Sequence, residues 1–293
     1  MKKNKIAFII NPNSGVGKHQ LVEKYALEYL QKEHELQFLY TQYPKHAMEL
    51  AEACKKNQFN IVAAVGGDGS VNEIASSLYQ TDVKLAIIPC GSGNGLARNL
   101  KIPIDIKKSI QLLNNFKTKK IDTILFNEKP FWVAAGLGFD AYVCHLFNQT
   151  EGRGLKNYIK ITLKEYPNYK NIKYTLYYNN ETVSNEAFIL SIANANQYGN
   201  NAFIAPNAEL DDGNFSLIAF NKTSLLKNLT AAIKLFTKNL RNADNYSELI
   251  LNQVKIVHNS KYAHVDGENF LINCEPVEIK ILPKSLNVII KDE

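Results

Sequence analysis

Apolar residues in the first 120 positions fall into short runs separated by stretches with helical spacing. Lys5 to Ile10 and Glu35 to Tyr40 read as strands, Ile61 to Val65 as a wholly apolar strand, and Leu85 to Ile88 as another. Strands covered on both faces read as such continuous runs, which marks central positions of a parallel sheet. Helical patterns lie between and after them. Leu21, Tyr25 and Leu30 share one face, and Ala47, Leu50, Ala51 and Cys54 share a second within His46 to Lys55. A third pattern runs from Ser70 to Leu78, and a fourth from Lys107 to Asn115. The alternation predicts βαβ units.

Beyond about residue 124 the period becomes two. Phe131 to Ala135, Lys173 to Tyr178, Ala187 to Ala193, Phe215 to Phe220, Val254 to Val257, Val277 to Leu282 and Leu286 to Ile290 read as strands. Only Leu155 to Lys164 and Ser224 to Leu240 carry helical spacing. The expected architecture is an α/β domain over residues 1–123 followed by a β-sandwich over 124–283. A cleft between two domains is a common ligand location.

The length of 293 residues suits two domains. Hydrophobic residues at 45% and charged residues at 21% exclude wholesale disorder. Lys and Arg total 34 against 28 Asp and Glu, a net charge of +6. That mild excess suits anionic small molecules or an anionic membrane surface, and lacks the concentrated stripe that nucleic acid binding needs. Cys54, Cys90, Cys144 and Cys274 are far apart with no CxxC pair, so neither a zinc site nor a disulfide framework is encoded. The longest apolar run near the start, Ile6 to Ile10, is too short for a signal-peptide core or a membrane span. A soluble, cytoplasmic protein is expected. Its oligomeric state is open, a homodimer included.

Candidate chemistry lies in the glycine-rich turns. Gly66-Gly67-Asp68-Gly69-Ser70-Val71-Asn72-Glu73 carries a buried strand into a helix through three glycines in four residues. Glycines let an anion approach backbone N–H groups, and a helix N-terminus adds unpaired donors. Asp68 is unfavourable beside phosphate alone and makes better sense orienting a metal ion or a hydroxyl. In a purely structural turn it would be the helix N-cap. Pro89-Cys90-Gly91-Ser92-Gly93-Asn94-Gly95 repeats the strand, loop and helix order after the next strand. Both loops belong at the carboxyl edge of the sheet, where open α/β sheets bind ligands. Asn11-Pro12-Asn13-Ser14-Gly15-Val16-Gly17-Lys18 follows the first strand but fails the P-loop pattern, with Pro12 at the first glycine and His19 at the Ser/Thr. Gly136-Leu137-Gly138-Phe139-Asp140-Ala141 fits the dinucleotide fingerprint GxGxxA but has no parallel βαβ unit around it.

These motifs in this order resemble the diacylglycerol kinase catalytic family, which includes bacterial lipid kinases, sphingosine kinases and ceramide kinases. The resemblance continues through GLGFDA at 136 to 141, ANANQYGNNAFIAPNAELDDG at 193 to 213 and VDGE at 265 to 268. It implies a three-layer α/β nucleotide-binding domain and an antiparallel β-sandwich, with the final strand, about 284–293, returning to the first domain. It also implies ATP and Mg²⁺ as cofactors and a lipid hydroxyl as acceptor. By matching position, nucleotide contacts would fall on Asn11, Pro12, Asn13, Ser14 and Gly15, on Thr41, on Gly66 through Glu73, and on Ser92, Gly93 and Asn94. The metal segment would be Glu209, Asp212 and Asn214, with Asp212 supplying a carboxylate and the others mainly backbone oxygens. Glu268 matches the general base of bacterial members, while Asp68 fills that role in sphingosine kinase accounts, so the base is one of the two. The GSGN loop with Leu96 and Ala97 is closer to sphingosine and ceramide kinases than to the bacterial GTxND form, leaving the acceptor lipid open.

Alternatives are an NAD kinase-like enzyme, which would share the GGDG loop, a silent lipid- or nucleotide-binding protein, and, more remotely, a paired-carboxylate hydrolase. A lipid acceptor brings the protein transiently to the inner leaflet. Ser224 to Arg241, with Leu225, Leu229, Ala232, Ile233, Phe236 and Leu240 opposite Lys227, Lys234, Lys238 and Arg241, is the candidate membrane-contacting helix. Its structural alternative is an ordinary surface helix packed on the β domain.

Overall fold

The computed structural model describes residues 3–15, 17, 19–150, 155–223, 230 and 233–292. The chain divides into two compact units, residues 1–123 with 283–293, and residues 124–282.

In the first unit, β1 (Lys5–Ile10), β2 (Glu35–Tyr40), β3 (Ile61–Gly66) and β4 (Lys84–Pro89) form a parallel sheet in the order β2-β1-β3-β4. Every residue of β3 is buried, as its apolar run requires. Helices α1 (Gln20–Leu30), α2 (His46–Lys56), α3 (Asp68–Leu78), α4 (Gly95–Asn99) and α5 (Ile106–Gln111) connect or follow the strands. The buried face of α1 is Val22, Ala26 and Leu30, while the predicted Leu21 is 42% exposed. Two apolar stripes compete along this helix, and the smaller Val22 and Ala26 allow the closer approach. Helix α3 begins two residues earlier than the spacing predicts. Gly67 is its N-cap and Asp68 lies in the first turn, so Asp68 is not the capping residue.

The second unit is built from β5 (Phe116–Phe126, whose first part lies in the first unit), β6 (Lys129–Phe131), β7 (Ala134–Gly138), β8 (Ile172–Tyr178), β9 (Glu181–Ala187), β10 (Ile189–Ala193), β11 (Phe215–Phe220), β12 (Tyr246–Leu251), β13 (Gln253–His258), β14 (Tyr262–Val265) and β15 (Glu268–Leu271). The final strand β16 (Val277–Lys291) gives its first part to this unit and its second part to the parallel sheet, where Val288 lies opposite Leu85. One sheet runs β12-β11-β10-β7-β14-β15, with antiparallel pairing throughout. The other contains β16-β13-β8-β9. Leu137, Leu190, Ile192 and Leu217 of the first sheet share a core with Leu176, Val254, Ile256 and Ile279 of the second. The unit is an antiparallel β-sandwich.

Three departures from the sequence reading have local causes. The strand expected over Phe131 to Ala135 breaks at Trp132 and Val133, whose N–H groups donate to the Asp266 carboxylate at 3.1 and 2.9 Å. The strand expected over Ala187 to Ala193 is a corner, because Ala187 ends β9 in one sheet and Ile189 opens β10 in the other. A helix was not anticipated at α6 (Phe139–Gln149), which follows β7 and precedes α7 (Leu155–Glu165). Its Phe139 and Val143 bury at helical spacing beside Ile161 and Phe188.

Candidate functional site

The first unit gathers its three glycine-bearing loops at the carboxyl ends of β1, β3 and β4. Asn11 N–H donates to Val65 O at 3.0 Å, and the Asn11 side-chain amide donates to Ser70 Oγ at 3.2 Å. Ser70, in the first turn of α3, is buried, and a side chain at Gly66 would collide with it. Cys90 and Gly91 both donate their N–H groups to Gly66 O, at 2.8 and 3.2 Å. Gly15, at φ +69°, lies so close to Cys90 O that a Cβ there would overlap it. Thr41 joins the same edge through its N–H, which donates to Ile10 O at 2.9 Å.

Gly67 and Gly91 also approach each other closely. A Cβ built on Gly91 would lie 2.5 Å from Gly67 Cα, so glycine is needed at 91 for the loops to touch, while one on Gly67 would lie 3.2 Å from Gly91 Cα. Asn94 fixes this arrangement from a left-handed backbone at φ +50°, which Asn tolerates. Its carbonyl oxygen accepts Gly91 N–H at 3.0 Å and its amide donates to Gly91 O at 2.8 Å. Asp68 Oδ1 accepts Gly95 N–H at 2.6 Å, and Arg98 Nε donates to Gly93 O at 3.1 Å. The result is a rim of backbone amides at a helix N-terminus, an arrangement suited to a bulky anion.

Not every predicted contact joins this rim. Val71 is buried and its N–H donates to Gly67 O, a role within the helix. The Glu73 carboxylate accepts Lys45 N–H at 3.1 Å, which directs it to the turn before α2. Asn13 and Ser92 are exposed, Pro12 is half-buried, and Asn13 N–H donates back to Asn11 Oδ1 at 3.0 Å.

In the second unit, Glu209 and Asp212 are exposed and precede β11. Asp212 Oδ1 accepts Asn214 N–H at 2.9 Å while Gly213 takes φ +77°, a turn closed by its own aspartate. Among the described residues no three Asp, Glu, His or Cys side chains gather in ligating range. A cation at this turn would therefore rest on the Asp212 carboxylate and on backbone oxygens, which hard cations accept.

Glu268 is exposed at the first position of β15, opposite Val265. The turn joining the strands has Asp266 at φ +47° and Gly267 at φ +84°, the backbone of a two-residue hairpin. Asp266 is a residue the sequence reading missed. Its carboxylate accepts N–H from Trp132, Val133 and Ala134, and its own N–H donates to Ala134 O at 2.8 Å. The DG pair itself was the available signal. A second missed feature is the buried pair of Asp140 and His264, with Oδ2 to Nε2 at 3.2 Å. His264 stands opposite Gly136, where a Cβ would collide with both side chains. The first glycine of the GxGxxA match thus makes room for this pair, while Gly138 lies against the Phe188 backbone, and β7 has antiparallel neighbours on both sides, not a parallel βαβ setting.

The proposed membrane helix falls partly outside the described residues, Leu225, Lys227, Leu229 and Ala232 included. Its described cations turn onto the unit itself. Lys234 Nζ donates to Asn242 O at 2.6 Å, Lys238 lies over the Phe203 ring, and Arg241 pairs with Glu248 at 2.7 Å. No helix among the described residues is long and apolar enough to cross a membrane.

A diacylglycerol kinase catalytic domain is matched over residues 5–126, and a YegS C-terminal NAD kinase beta sandwich-like domain over residues 133–290. The chain belongs to this family of two-domain proteins. Diacylglycerol kinase from Bacillus subtilis is 28% identical over 92% of the chain and 90% of its own length. An uncharacterised protein from a Synechocystis strain is 29% identical over 96% of the chain and 69% of its own length. A solved diacylglycerol kinase structure from Bacillus anthracis shares the fold at a TM-score of 0.78, with 19% identity over 99% of this chain and 98% of that one. An NAD kinase from Archaeoglobus fulgidus, solved in complex with ATP, shares it more distantly, at a TM-score of 0.53 and 12% identity over 98% of this chain and 93% of that one.

Proposed function

We propose that the protein is an ATP-dependent lipid kinase that transfers the γ-phosphate to the hydroxyl of a diacylglycerol or a sphingosine-like alcohol. The observation that carries this reading is the approach of Gly67 to Gly91, which leaves the N-terminal amides of α3 beside the Asn11 and Gly91 loops. Phosphoryl transfer asks the protein chiefly for positioning and charge neutralisation. Asn11 to Gly15 and Gly66 to Ser70 would hold the triphosphate. A magnesium ion, held by Asp212 and neighbouring backbone oxygens or by nucleotide oxygens, supplies charge neutralisation when bound. Glu268 would accept the acceptor hydroxyl proton, and Asp68 would keep the rim in register through Gly95.

The test is transfer of label from γ-labelled ATP in mixed micelles to diacylglycerol, monoacylglycerol, sphingosine, ceramide, phosphatidylglycerol or undecaprenol, with NAD as control. Label is expected in a lipid. Glu268→Gln should lower that turnover by at least about a hundredfold, since general base catalysis contributes roughly 10²–10⁴-fold, and leave ATP binding intact. Label confined to NAD would overturn the reading.

A further inference from the structure

We infer that helix α6 positions Glu268, with Asn148 as its working contact; this rests on the reading of Glu268 as the base. Glu268 is exposed on the four-residue strand at the edge of its six-stranded sheet, and backbone pairing with β14 does not by itself fix an exposed side chain. Both of its chain neighbours are tied to α6. Asn148 Nδ2 lies 3.3 Å from Gly267 O and 2.6 Å from Asn269 Oδ1, one contact on each side of Glu268. Cys144 Sγ, one turn earlier, donates to Gly267 O at 3.0 Å. His145 Nδ1 accepts from Asn269 Nδ2 at 2.9 Å. A further turn back, Asp140 meets His264 on the adjoining strand.

Positions 140, 144, 145 and 148 lie on one side of a helix with 3.6 residues per turn. That side is the one packed against β14 and β15. The network is polar and specific, where apolar packing would have sufficed to hold a helix on a sheet edge. From the other side, Asp266 pins the turn to the backbone of residues 132–134. The hairpin is therefore gripped on both sides of the one exposed carboxylate. Asn148 is itself exposed, so its replacement leaves the core untouched.

The experiment is a double-mutant cycle on the full chain, with turnover measured on diacylglycerol and sphingosine in mixed micelles and amide hydrogen exchange followed over residues 264–271. Asn148→Ala should lower kcat by about ten- to a hundredfold, the scale of a displacement near 1 Å, with KM for ATP unchanged. Asn148→Asp, which keeps the size but loses the donor, should do the same. In a Glu268→Gln background Asn148→Ala should cost nothing further, because it acts through that carboxylate. Exchange across the hairpin should quicken in both Asn148 variants. Equal losses in both backgrounds, or unchanged hairpin exchange, would overturn the inference. Unchanged turnover in Glu268→Gln, or no turnover on any lipid, would sink the base assignment instead, and hairpin exchange would then decide the role of Asn148 alone.

Discussion

Asp68 Oδ1 accepts the backbone N–H of Gly95 at 2.6 Å, joining the first turn of α3 to the first residue of α4. The acid inside the glycine loop therefore has structural work, and its negative charge also sits at the favourable end of α3. This separates two kinds of variant. Asp68→Asn retains an acceptor oxygen and should keep ATP affinity within about threefold, whereas Asp68→Ala leaves Gly95 N–H without its partner and should weaken both nucleotide binding and stability, the latter by about 1–3 kcal/mol. Nucleotide titration and urea denaturation of both proteins read this directly. If Asp68→Asn instead abolishes turnover while Glu268→Gln does not, the base is Asp68.

The Gly67 and Gly91 approach predicts a sharper response. Gly91→Ala places a methyl group 2.5 Å from backbone, which no rotamer change can relieve, so the two loops must separate. Overpacking of this kind costs about 1–3 kcal/mol. Nucleotide affinity should fall by more than tenfold. Gly17→Ala, at a position with open space around its Cβ though at φ +75°, is the comparison for backbone strain alone. Similar nucleotide affinity in the two variants would show that the rim tolerates spreading.

Much of this arrangement is legible in the sequence because parallel strands and glycine turns are local signals. Ile61 to Val65 is apolar throughout and runs into the pair Gly66-Gly67, so strand, loop and helix follow without tertiary knowledge. The failures are places where a distant residue decides. Trp132 and Val133 have strand-forming side chains, yet their N–H groups are taken by Asp266, more than 130 positions away. Phe188 sits in an unbroken apolar run whose change of sheet is invisible along the chain. Helix α6 opens with a residue sequence that also fits a strand, and Gly138 at φ +98° switches it. The clamp on Glu268 was unreadable because Asn148 and Asn269 are ordinary polar residues until the hairpin brings them to 2.6 Å.

The thiols give a pH prediction. Burial pushes Cys54 up from 9.0 to about 11, and burial, reinforced by the Asp140 and Glu268 charges, pushes Cys144 to about 12. Both folded thiols hold their protons beyond the point where unfolded thiols ionise, so their contribution to stability is complete below about pH 9 and is lost as the pH rises toward 11 and 12. Urea midpoints under reducing conditions should fall from pH 8.5 to pH 10 by more than in a Cys54→Ala, Cys144→Ala protein. Near neutral pH, thiol reagents should modify exposed Cys274 quickly and the buried Cys54, Cys90 and Cys144 only on unfolding. Fast modification of two thiols in the folded protein would contradict the burial.

A lipid acceptor would bring the protein to a membrane surface, and α7 offers a candidate contact beside the Ser224 to Arg241 segment. On α7, Ile159 is 45% and Leu163 70% exposed, one turn apart, and exposed Lys156, Lys160 and Lys164 flank them. Lys164 makes a 3.6 Å pair with Glu165, with its own side chain 80% exposed. Two bare apolar side chains framed by lysines match the boundary of an anionic bilayer, where each Lys near the surface contributes about 1 kcal/mol. Lys156→Glu with Lys160→Glu should therefore weaken binding to phosphatidylglycerol-containing vesicles by at least about tenfold at low salt, and high salt should shrink the difference. Leu163→Ser should weaken binding at every salt concentration, because its loss is apolar. Neither change touches the core, so turnover on a short-chain, water-dispersed acceptor should be unaltered. Vesicle binding that survives both changes would remove α7 from the membrane contact and return its lysines to ordinary solvated surface.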